Sequence, residues 1–256
     1  MSLIIQEVIA QSSLTLVLSS FERQLCGLAL QVLDFERNVG WQAFEEFNRD
    51  YFALRMALAR YHEFKSMTIR ELHKGAWVGE NAGLARVLLD TESIGAVDKL
   101  STRYPQNKQD VDVGVVYRNA DGAAFDLVTA LTLEGKTDNT LLILHECKHT
   151  RKPAGENKMV VSALDVEAAL EKAEHALHES GEEKRRYALI FITNRLFKSA
   201  KGYTMASELE RANLTNSVVI VRENCIEYFG PSLARRFMGY SDPWEGEGGS
   251  EYLEPE

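Results

Sequence analysis

The sequence predicts an α/β protein: a helical N-terminal region followed by a core in which a helix, three strands, a second helix and a fourth strand succeed one another. Three observations carry that expectation. Apolar residues recur at steps of three and four through the first 74 residues. From about residue 110, short β-branched and aliphatic runs alternate with polar turns. A periodic segment with a serine at its start then separates the third run from a fourth. With 45% apolar and 26% charged residues among 256, the chain has a globular composition and enough length to bury a core without disulfide staples.

Taken in order, residues 14–33 repeat Leu18, Leu25, Leu28 and Val32 with helical spacing. In residues 41–64, Phe44, Phe47, Tyr51, Leu54, Leu58 and Tyr61 form one apolar stripe, which marks a core-facing helix face. Residues 80–89 read as a helix after the Gly79 break. Residues 111–117 and 124–133 read as strands joined by the turn Asn119-Ala120-Asp121-Gly122. A polar turn at 134–139 leads into a third strand at 140–148, which contains Leu141-Leu142-Ile143-Leu144. Ser162 can cap a helix over 162–178. Residues 187–193 form a continuous apolar run, as a buried strand does, and residues 217–221 and 226–229 add more sheet. The expected organisation is therefore a helical region at 1–74, an α/β core at 75–240 and an acidic flexible tail at 241–256.

Charge is unevenly placed. The net charge is −9, but the tail holds Asp242, Glu245, Glu247, Glu251, Glu254 and Glu256 without a cation, and the rest of the chain carries only −3. Residues 183–202 hold Lys184, Arg185, Arg186, Arg195, Lys198 and Lys201 against Glu183. A basic strip on a mildly acidic body permits contact with phosphates. Its second cluster, Arg195, Lys198 and Lys201, is the candidate nucleic-acid contact. Cys26, Cys147 and Cys225 are odd in number and far apart, which excludes a disulfide framework and a CxxC zinc knuckle. No apolar run near the N-terminus approaches a membrane span, and no basic stretch precedes the first one. A protein inside the cell, cytoplasmic or nuclear and without a membrane partner, is expected.

The chemistry concentrates in His145-Glu146-Cys147-Lys148-His149. On a strand, residues two apart share a face, so Glu146 and Lys148 point together and His145, Cys147 and His149 point the other way. On a helix, His145 and His149 share a face and the segment matches the H-E-x-x-H zinc-peptidase motif, with Glu146 as base. Hairpin register favours the strand. With the turn at 134–139 as its centre, Asp126 falls opposite Glu146 to within one residue. Two carboxylates and an ammonium meeting at a strand end attract a divalent cation that prefers oxygen ligands.

An Asp on one strand and Glu-x-Lys on the next resembles the PD-(D/E)xK superfamily of restriction-endonuclease-like nucleases. Here the matching stretches are Phe125-Asp126-Leu127-Val128 and Leu144-His145-Glu146-Cys147-Lys148, with Phe125 standing where the family has Pro. The resemblance spans residues 78–195 and implies an αβββαβ core, DNA as substrate and Mg²⁺ or Mn²⁺ as cofactor. It also implies a catalytic set of Asp126, Glu146 and Lys148, with Glu80 as a further metal ligand from the first core helix. Tyr228-Phe229-Gly230-Pro231-Ser232-Leu233-Ala234-Arg235-Arg236 is similar to nuclease-like segments of crinkler and retrotransposon-hot-spot effectors. Two alternatives stand beside this reading. One is a zinc peptidase using His145, Glu146 and His149; the other is a nuclease-like fold used without catalysis as an interaction module.

Overall fold

The structure, a computed structural model, describes residues 41–62, 64–89, 94–97, 100–106, 110–135, 139–149, 160–182, 185–200 and 202–231, with 27, 29, 233 and 234. The expected 14–33 helix lies outside the described residues apart from Gly27 and Ala29, which are helical. The tail at 241–256 lies outside them as well.

The fold is mixed α/β. Its centre is a seven-stranded sheet built from β2 (Trp77–Val78), β4 (Gly95–Val97), β5 (Val115–Arg118), β6 (Leu127–Thr132), β7 (Thr140–Lys148), β9 (Arg186–Thr193) and β11 (Ser217–Ile220). The spatial order is β2-β11-β9-β7-β6-β5-β4. Strands β5, β6 and β7 are antiparallel neighbours, while β7, β9 and β11 run parallel. The crossover from β7 to β9 passes through β8 (Val160–Val161) and α4 (Ala163–Glu179).

Each central strand is buried on both faces, which is why it reads as an unbroken apolar run rather than an alternation. Along β7, Leu141 and Ile143 join one hydrophobic cluster and Leu142 and Leu144 the other. The first cluster is closed by α1 (Trp41–Tyr61), with Phe44, Phe47, Tyr51, Leu54 and Leu58 buried as the stripe requires. It also takes in α5 (Cys225–Phe229). The second is closed by α4, through Val166, Ala169, Ala173 and Leu177. Helix α1 shares one hydrophobic core with the sheet across residue 74.

Three expectations change. The 80–89 helix is only α3 (Glu80–Leu84), and the chain then extends as β3 (Arg86–Leu88), antiparallel to β1 (Ser66–Thr68). Between those strands lies α2 (Ile69–Leu72), whose capping box joins Thr68 and Glu71. Strand pairing with an earlier segment outweighed the local helical pattern. The 111–117 strand begins only at Val115, because Gly114 takes φ +82 and leaves Val113 with a single bridge to Ala130. Residues 226–229 are helical, since Asn224 binds the Val221 N–H and the Val219 carbonyl and so ends β11. A short apolar run of that kind does not reveal its own period.

Candidate active site

The β6–β7 hairpin forms in the expected register. Leu127 and His145 are the last pair of the ladder, and Asp126 comes one residue beyond it. The Asp126 N–H donates to the His145 carbonyl at 2.8 Å. Beyond that bond the main chain of β6 has ended, and the Asp126 side chain continues the ladder: its Oδ2 accepts the Cys147 N–H at 2.6 Å. Asp126 is therefore tied to β7 twice, by its own N–H and by its carboxylate.

Period-two alternation then sorts the chemistry by face. Glu146 and Lys148 continue the Leu142–Leu144 row toward α4. They form an ion pair, with the Glu146 side chain 4% exposed and that of Lys148 45% exposed. Lys172, on α4, brings its Nζ to 3.6 Å from the same Glu146 oxygen. A cavity of 230 Å³ opens here, lined by Glu146, Lys148, Asp165, Lys172, Phe191 and Arg195. Asp165 is engaged at the start of α4, where its Oδ2 accepts from the Ser162 N–H and hydroxyl at 2.7 and 2.8 Å.

The histidines lie on the opposite face. His145 meets the Phe52 ring of α1 at 5.0 Å, and His149 meets Phe44 at 4.9 Å. Along an extended strand they are ~13 Å apart, whereas two ligands of one zinc bring their nitrogens within a few ångströms of each other. The helical geometry of H-E-x-x-H is absent from this segment. Burial holds the His145 pKa down to about 3, so its ring is neutral.

Two carboxyl groups here, those of Asp126 and Glu45, are pushed upward. Burial and then the Glu146 charge raise Asp126 to about 6, against the Cys147 N–H and the charges of Lys148 and Lys172. Burial tends to lower Lys148, but its hydrogen bond to Glu146 and the charges of Glu146 and Asp126 outweigh that and raise it. A residue that sequence reasoning missed joins them. Glu45, on α1, is 7% exposed. Its pKa is raised to about 8, first by burial and next by Asp126, with Arg118 opposing. Its buried placement has a faint signal, because Asn48, Phe52 and Met56 follow it along one helix line and are buried too. Nothing in the sequence links that line to Asp126.

Glu80 does not join the site. The α3 turn is tied to the start of β11, with the Gly79 N–H on the Ser217 carbonyl and the Ala82 N–H on that of Thr215. That is the opposite end of the parallel strands from Glu146, and Glu80 is exposed there. Arg195, just past the end of β9, reaches the cavity. Lys198 is exposed after β10 (Leu196–Phe197), and Lys201 lies outside the described residues. Arg185 and Arg186 open β9 at the far end, so the basic strip is split.

Among the described residues, no three His, Cys, Asp or Glu side chains form a ready-made metal cage. An ion that keeps most of its waters needs only one or two carboxylates. No family model, curated protein or solved structure matches the chain.

Proposed function

We propose that the protein is a divalent-metal-dependent nuclease that hydrolyses phosphodiester bonds of DNA on a restriction-endonuclease-like core. One observation carries this reading: at the end of the hairpin Asp126 accepts the peptide N–H that follows Glu146, and the Lys148 ammonium pairs with Glu146. With the short elements between them set aside, α1, β5, β6, β7, α4 and β9 follow the order that the PD-(D/E)xK resemblance implies, which supports it. In this reading Glu45, on α1, takes the role that the resemblance gave to Glu80.

The donor set suits Mg²⁺ or Mn²⁺. It is all oxygen, and buried carboxyls that resist ionisation beside one another gain from a divalent charge. Asp126 and Glu146 would hold the ion, with Glu45 beside Asp126. Bound there, it would polarise the phosphodiester and lower the pKa of a water. The chain's own contribution is preorganised charge. Lys148 stays protonated at working pH and can stabilise the negative charge that builds on the phosphate oxygens. Arg195 and Lys198, at the same end of the sheet, can meet neighbouring phosphates.

The test is direct. Purified protein is incubated with plasmid, single-stranded DNA and RNA in Mg²⁺ or Mn²⁺, and EDTA should abolish the cleavage. Loss of cleavage in Asp126→Asn with the fold intact supports the reading. Metal-loaded protein that leaves every nucleic acid intact refutes it. Zinc-dependent peptide hydrolysis would establish the peptidase instead.

A further inference from the structure

The cavity beside Glu146 carries more positive charge than one catalytic ammonium supplies. Lys148, Lys172 and Arg195 face Glu146 and Asp165 across it, and Asp165 is already engaged by Ser162. Lys172 is placed differently from Lys148. At 3.6 Å from Glu146 Oε1 it makes an ion-pair contact beyond hydrogen-bond distance, so its ammonium donors are uncommitted among the described residues. Its side chain is 49% exposed and borders the open space. That space, 230 Å³, is worth about eight waters of liquid volume, room for a phosphate group and part of its hydration shell.

We propose that Lys172 is the principal cation of a phosphate-binding subsite on the α4 side of Glu146, which holds a backbone phosphate of the substrate. The proposal rests on the nuclease reading for the identity of the substrate, while the subsite itself is defined by the cavity and its charges. It adds a contact from α4 to the basic strip and fixes where the substrate runs. The sugar–phosphate backbone crosses the ends of β7 and β9 beneath α4, rather than along the α1 face where His145 and His149 are packed against aromatic rings. Arginine keeps the charge and the donors at this position, whereas alanine removes both.

The experiment compares wild type, Lys172→Ala, Lys172→Arg and the charge-matched control Lys65→Ala, which lies at the start of β1 at the far end of β6. Binding of a labelled 12-base-pair DNA duplex is followed by fluorescence anisotropy at two salt concentrations, with Ca²⁺ replacing Mg²⁺. Lys172→Ala should bind about five- to tenfold more weakly, and its log K against log salt slope should fall by about one. Lys172→Arg and Lys65→Ala should bind as wild type. In a second arm, inorganic phosphate should raise the unfolding temperature of wild type and not of Lys172→Ala. Phosphate stabilisation of wild type alone, without DNA binding or cleavage, keeps the subsite and sinks the nuclease reading. Unchanged DNA affinity and salt slope in Lys172→Ala, or phosphate stabilisation that survives the substitution, overturns the proposal while leaving cleavage untouched.

Discussion

Replacing Glu45 by Gln separates what this carboxyl does for catalysis from what it costs the fold. Glu45 is buried beside Asp126, and its pKa rises from 4.5 to about 8. For an acid shifted upward, the folded state holds the proton more tightly than the unfolded state. The wild type should therefore lose stability as pH climbs from 4.5 toward 8 and level off above that. At pH 7 the ceiling of this loss is about 3 kcal/mol. That ceiling already includes the opposing Arg118 charge, and water reaching the carboxyl edge screens it further, so we expect about 1–2 kcal/mol. Glutamine has the same shape and no charge to desolvate. The variant should unfold about 3–6 °C higher than wild type at pH 8 and at the same temperature near pH 4.5. Its cleavage activity should fall sharply if Glu45 stands beside the metal, and its thermal gain from added Mg²⁺ should shrink. Calorimetric or fluorescence melts at pH 4.5 and 8, with and without Mg²⁺, read all of this. A variant destabilised equally at both pH values would show that Glu45 is a packed hydrogen-bonding residue outside the charged cluster.

Three further outcomes follow from the same geometry. Lys148→Ala should reduce cleavage by at least about a hundredfold while calorimetric Mg²⁺ affinity stays near wild type, and His149→Ala should retain most activity; equal losses in both would undo the assignment by strand face. Because Asp126 holds its proton up to about pH 6, metal affinity should drop as pH falls through 6, about tenfold per unit below it, and isothermal titration at pH 5, 6 and 7 checks this. His145 is held neutral down to about pH 3, so its contribution to stability is complete above 6.5 and is lost as pH falls below that, by about 1.4 kcal/mol per unit. His145→Leu should flatten the acid limb of the stability curve by that amount, and denaturant titrations at pH 4, 5 and 6 would expose a curve that does not flatten.

The hairpin was legible because its information is local. A turn of definite length sets which residues face each other, and the two-residue period sets which side they show, so Asp126, Glu146 and Lys148 follow from the sequence. Glu80 was misplaced because order along the chain does not reveal order across the sheet. Only the pairing of β2 with β11 sends α3 to the far end. Glu45 was hidden for a different reason. Helical periodicity finds the apolar stripe and leaves charged residues to solvent, yet α1 is covered on more than one side, with Glu45, Asn48, Arg49 and Asp50 all buried. Strand β3 was invisible because its partner lies in a segment that reads locally as something else.

The two faces of β7 have a consequence for how this chain can vary. His145 and Cys147 occupy the α1 side, while Glu146 and Lys148 occupy the α4 side, with one residue between each pair. Insertion or deletion of a single residue within β7, between Leu141 and His145, would exchange the two sets at once. It would drive a carboxylate and an ammonium into the aromatic layer and turn an imidazole and a thiol toward the cavity. Length changes confined to the 134–139 turn leave both faces as they are. In a library of such variants, surviving changes should cluster in the turn and vanish inside the strand, and the rare survivors within the strand should add or remove residues two at a time.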